Sequence, residues 1–141
     1  MKQQEISEFY DEYVQRQLKI GANERLISLY KRLVNGGLNA HSKILELGCG
    51  VGIFTKLLSK KVTKGNIEAV DLSEKSAAVA KRELKHKKNI HFDVADVVKY
   101  QPKNTDFDMI TLMDVIEHIP LEQHEELFGN LSKIATEKTH I

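Results

Sequence analysis

The sequence predicts an α/β fold with a doubly wound parallel sheet, on three observations. Strand-like and helix-like patterns alternate from about residue 43 onward. One apolar run ends in glycines at alternate positions, Ile44-Leu45-Glu46-Leu47-Gly48-Cys49-Gly50-Val51-Gly52, and leads straight into a helical pattern at Ile53-Phe54. Acids stand at or just after the ends of the next two apolar runs, at Asp71 and Asp96. Strands separated by helices are joined by right-handed crossovers and so lie parallel.

Each element has its own warrant. Ile6, Phe9, Tyr10, Tyr13, Val14, Gln17 and Leu18 recur at helical spacing and predict an amphipathic helix that Gly21 ends. Asn23 is placed to cap a second helix carrying Leu26, Leu29, Tyr30 and Leu33, stopped by Gly36-Gly37. A strand near 43–48 and a helix near 52–62 follow, with Phe54, Leu57 and Leu58 on one helix face. Residues 67–71 read as the second strand, and Ser73 as the cap of a helix bearing Ala77, Ala80 and Leu84. The third strand covers 90–94 and the fourth 107–113, with a polar loop over 99–106 between them. Pro120 stands where a last helix starts, and Leu127, Phe128, Leu131 and Ile134 form its apolar stripe.

The 141 residues suffice for one domain with a sizeable core. Hydrophobic residues at 41% and charged residues at 29% are ordinary for a globular protein. A formal net charge of +1 makes no electrostatic case for nucleic acid as the main partner. Cys49 is the single cysteine, which leaves no intrachain disulfide and suits a reducing compartment. The first residues are charged and amphipathic rather than a signal peptide, and no apolar run approaches membrane-spanning length. The expectation is a soluble, cytoplasmic protein without a membrane partner.

The glycine run describes a strand turning sharply into a helix, with the backbone left bare for a ligand. The helix start adds N–H groups and the positive end of its dipole. A dinucleotide fingerprint, G-x-G-x-x-G, would need a glycine at 53, where Ile53 stands. The pattern present is E-x-G-x-G-x-G, opening at Glu46. With this motif, with Asp71 and Asp96, and with Asp114-Val115-Ile116-Glu117-His118-Ile119 after the fourth strand, the chain resembles the class I S-adenosylmethionine-dependent methyltransferases. The last motif is similar to that of small-molecule enzymes of the ubiquinone O-methyltransferase type.

The resemblance implies a Rossmann-like sheet of strand order 3-2-1-4 with helices on both faces, preceded by a helical lid over residues 1–37. It implies S-adenosylmethionine as cofactor and a small molecule as methyl acceptor. Gly48, Cys49, Gly50 and Gly52 would form the cofactor loop, with Glu46 holding the methionine end. Asp71 would accept the ribose hydroxyls, its alternative being an acid at the start of the next helix. Asp96 would take the adenine amino group, with Val97 against the ring through its backbone and Leu72 offering an apolar face. Asp93 competes for this role, but strand alternation turns it away. Met113 would line the cofactor. Arg25 would reach the cofactor carboxylate, or lie solvated on its helix. Tyr10 and Tyr13 belong either to the lid or to the core.

His118 would serve as general base toward the acceptor, with Glu117 as the lesser candidate, and the alternative for His118 is a capping hydrogen bond ahead of Pro120. Cys49 has no evident paired base and reads as a packing residue rather than a nucleophile. Glu117, His118, Glu122 and His124 lack the spacing of a zinc site, so no metal is expected. A nicotinamide-binding domain and a non-catalytic nucleotide-binding or assembly module remain as alternatives. Residues 139–141 resemble the opening of a fifth strand, and the family's sheet has seven. The expectation is therefore a cofactor-binding α/β domain over residues 38–141 that stops at the start of the fifth strand. The rest would belong to a longer protein or to a partner chain, and the fourth strand would have an open edge that favours self-association.

Overall fold

The computed structural model describes residues 2–141. The side chain of Ile6, counted above in the first apolar stripe, lies outside the described residues. Four parallel strands form one sheet: β1 (Lys43–Leu47), β2 (Asn66–Asp71), β3 (Ile90–Val94) and β4 (Met109–Thr111), in the order β3-β2-β1-β4. Successive strand side chains point to opposite faces. Ile44, Ile67, Ala69 and Met109 pack on one face, and Leu45, Leu47, Val70 and Ile110 on the other. Both faces are covered, which is why the strands read as apolar runs rather than as alternating ones.

The first face receives α3 (Ile53–Lys61) through Phe54, Leu57 and Leu58, and Leu84 at the end of α4 (Glu74–Glu83). α2 (Glu24–Asn35) packs there too through Leu26, Leu29, Tyr30 and Leu33. The second face is covered by α5 (His124–Ile134) through Leu127 and Leu131, together with Val97, Val98, Tyr100 and Phe107 from the crossover between β3 and β4. That crossover carries no helix. Its Tyr100 hydroxyl meets Glu68 at 3.1 Å, and Asn104 donates to the same buried carboxylate at 2.7 Å.

The caps read from the sequence are in place. Asn23 accepts from Leu26 N at 2.9 Å, Ser73 accepts from Ser76 N at 3.2 Å, and Gly21 ends α1 (Gln3–Ile20).

Three boundaries differ from expectation. β4 is shorter than 107–113, because Asp106 takes a left-handed turn before it and Asp114 another after it. Pro120 opens a single 3₁₀ turn, Leu121–Gln123, before α5 begins at His124. The outer edge of β4, expected to be unpaired, is engaged by His140, whose N–H donates to Asp108 O at 2.9 Å and whose carbonyl accepts from Ile110 N at 2.8 Å. Among the described residues no helix is long and apolar enough to cross a membrane.

Candidate functional site

The turn between β1 and α3 is held from β2. Gly48 N and Cys49 N donate to Val70 O at 2.7 and 3.0 Å, and Gly50 N donates to Asp71 Oδ1 at 3.0 Å. The second Asp71 oxygen accepts from Ser73 N at 3.0 Å. Asp71 therefore ties the turn to the start of α4, and these amides are engaged within the protein. The donors without an intrahelical partner are those of the first turn of α3.

The three glycines serve different purposes. A Cβ on Gly48 would stand 2.2 Å from Val115 Cγ2, and one on Gly52 would stand 3.0 Å from Ala80 Cβ on α4. A Cβ on Gly50 would meet nothing within 4 Å. Gly50 alone of the three faces open space.

That space is a cavity of about 810 Å³ at the carboxyl ends of the strands. Of the candidates read from the sequence, Glu46, Gly48, Cys49, Gly50, Asp71 and Leu72 line it from β1, the turn and β2. Asp96, Val97, Met113 and His118 line it from the later segments. Arg25, Gly52 and Glu117 do not. Asp96 also accepts from Val98 N at 3.0 Å, which shapes its own turn. Asp93 is turned to Tyr100, whose hydroxyl lies 2.8 Å away. Helix α1 closes one side with Tyr10, Tyr13, Val14 and Gln17. It is anchored to α4 by a 2.7 Å hydrogen bond between the Tyr10 and Ser76 hydroxyls, with the Lys75 ammonium 5.3 Å from the Tyr10 ring centroid.

Glu46 forms the cavity floor and is only 2% exposed. Burial pushes its carboxyl up to about 7, the charge of Asp71 adds to that, and the hydrogen bond donated by Thr55 Oγ1 opposes it. Thr111 pairs with Glu46 in the sheet register, and its buried hydroxyl has no hydrogen-bond partner among the described residues. Burial, with the charges of Glu46 and Asp71, also pushes the Cys49 thiol far up, so it stays protonated and is a poor nucleophile.

His118 closes the 3₁₀ turn Ile116–His118, with its side chain 78% exposed and Nε2 4.0 Å from Glu117 Oε1. Neither 3₁₀ turn nor α5 carries a side-chain cap bond, and His124 Nε2 lies 2.9 Å from Ile119 O. Arg25, in the first turn of α2, forms an ion pair with Asp114. Sequence reading missed Asp114, Val115 and Ser76 as lining residues. The first two directly follow Met113, and the chain turns left-handed at Asp114.

A family profile described as a methyltransferase domain matches residues 44–138. The chain is 38% identical over 101 residues to a malonyl-[acyl-carrier protein] O-methyltransferase of Bacillus anthracis, covering 72% of this chain and 35% of that protein. It is 32% identical over 78 residues to a ubiquinone biosynthesis O-methyltransferase of Coxiella burnetii, covering 55% and 32%. The chain thus spans about a third of the length of these curated relatives. Among solved structures, a TehB-like SAM-dependent methyltransferase from Corynebacterium glutamicum superposes with a TM-score of 0.72 at 23% identity, over 94% of this chain and 68% of that one.

Proposed function

The chain belongs to the methyltransferase-domain family, and on that premise we propose that it binds S-adenosylmethionine in the cavity and directs methyl transfer to an oxygen, nitrogen or carbon atom of a small molecule. Both curated relatives are named O-methyltransferases, which favours oxygen.

The observation that carries the reading is the Asp71 carboxylate. Each of its oxygens accepts one backbone N–H, and each keeps a lone pair for a ribose hydroxyl. The rest of the cavity fits the same ligand. Gly50 leaves room for close approach, and Glu46 supplies an ionisable floor beneath a cationic amino-acid end. Asp96 and Val97 bound the adenine side, and Leu72, 71% exposed, offers that ring an apolar face. Cys49 and Met113 contribute apolar lining.

The bound cofactor supplies an activated methyl group on a sulfonium centre. What the protein contributes is alignment and exclusion of water. α1, anchored through Tyr10 and Ser76, acts as part of the lid formed by residues 1–37. His118 sits on the cavity wall with an accessible ring, and one of its ring nitrogens takes the proton of an acceptor hydroxyl. Glu117, the lesser candidate, has its Oε1 4.0 Å from His118 Nε2.

Calorimetry with S-adenosylmethionine, S-adenosylhomocysteine and NAD tests the cofactor reading. Binding of the first two and not of NAD is expected, whereas binding of NAD alone would overturn it.

A further inference from the structure

Arg25, which does not line the cavity, pairs directly with Asp114, which does, 89 positions away in the chain. Arg25 occupies the first turn of α2, where the helix dipole is positive and a cation is disfavoured without an anionic partner. Asp114 lines the cavity between Met113 and Val115, and it adopts φ 57, a conformation few non-glycine residues take. The two side chains are 55% and 51% exposed. An ion pair so open to water contributes little to stability and exchanges readily.

The lining around it is one-signed. Glu46, Asp71, Asp96 and Asp114 all present carboxyl groups to the cavity, and among the described residues no lysine or arginine lines it. A ligand carboxylate entering this space meets no cationic side chain unless Arg25 is released to it. Asp114 already holds the guanidinium through a carboxylate oxygen, the same group such a ligand would bring.

We propose that Asp114 is an internal stand-in for a ligand carboxylate: it holds Arg25 beside the cavity until a carboxylate-bearing ligand displaces it. Asp114 is thereby a positioning and selectivity residue, acting through Arg25. The inference rests on the cofactor reading for where the site lies. The carboxylate comes either from the amino-acid end of the cofactor or from an acidic acceptor.

The test compares Asp114→Asn, Asp114→Glu, Arg25→Gln and the double variant Arg25→Gln/Asp114→Asn in the full chain. Calorimetry measures binding of S-adenosylhomocysteine and of its decarboxylated analogue, which keeps the ammonium group. A cofactor source predicts that Asp114→Asn tightens S-adenosylhomocysteine about three- to fivefold, the worth of a half-exposed pair. The analogue should be unmoved, Asp114→Glu should behave as wild type, and the double variant should lose the gain. An acceptor source predicts no such change, but a malonate titration followed by NMR that tightens in Asp114→Asn and vanishes in Arg25→Gln. If neither titration responds to these variants, or if Asp114→Asn weakens both adenosyl ligands alike, the proposal is overturned. Failure of the wild type to bind either adenosyl ligand would sink the cofactor reading instead, and the malonate arm would still decide the role of Arg25.

Discussion

The Cγ2 methyl of Val115 stands 2.2 Å from where a Cβ on Gly48 would be, so the first glycine of the turn makes room for the protein's own side chain. Gly50, two residues on, meets nothing within 4 Å. The same residue type is therefore required by packing at one position, while at the other it sits at φ +54 facing open space.

Gly48→Ala should lower folding stability by about 1–3 kcal/mol through overpacking. Adding Val115→Ala should recover part of that loss but not all, because Gly48 sits at φ +84, where a side chain is strained. Gly50→Val should abolish cofactor binding, and it should also lower stability, because Gly50 sits at φ +54, where a β-branched side chain is strained. Equal binding by Gly50→Val and wild type would remove the turn from the site.

Asp71→Ala should weaken S-adenosylmethionine binding by about 1.5–3 kcal/mol, the range for hydrogen bonds to a charged group. It should also lower stability, since the same carboxylate accepts from Gly50 N and Ser73 N. Calorimetry and denaturation together separate the two effects. A loss of stability with unchanged affinity would leave Asp71 a purely structural residue.

The stability of the ligand-free protein should carry a pH signature from Glu46. Its carboxyl is raised from an ordinary 4.5 to about 7 on folding, so the folded state holds the proton more tightly. The contribution is full below about pH 4.5 and is lost as pH rises through about 7, approaching a loss of roughly 3 kcal/mol above it. Glu46→Gln cannot ionise. Its stability should match wild type at the acid end and exceed it progressively between these values. Denaturation of both proteins from pH 4.5 to 8 checks this, and a constant difference across that range would show that Glu46 does not titrate there.

His118→Ala should reduce turnover in the complete enzyme by about 10²–10⁴ while leaving cofactor affinity nearly intact. A rate within threefold of wild type at saturating cofactor would remove His118 from the chemistry.

Element order, helix caps and the glycine turn were legible in the residues themselves. Asn23, Ser73 and Gly21 act within three or four positions of their own place in the chain, so local sterics and hydrogen bonding specify them. Alternating strands and helices likewise determine a parallel sheet wound on both faces, and the order β3-β2-β1-β4 agrees with the one the family resemblance implied. The tertiary structure decided what depends on partners far apart in sequence. It set Val115 against Gly48, Thr55 on Glu46, Arg25 on Asp114 and His140 on the edge of β4. Periodicity tells a side chain which face to occupy, but which atom it meets there is settled only by strand register and by turns such as those at Asp106 and Asp114.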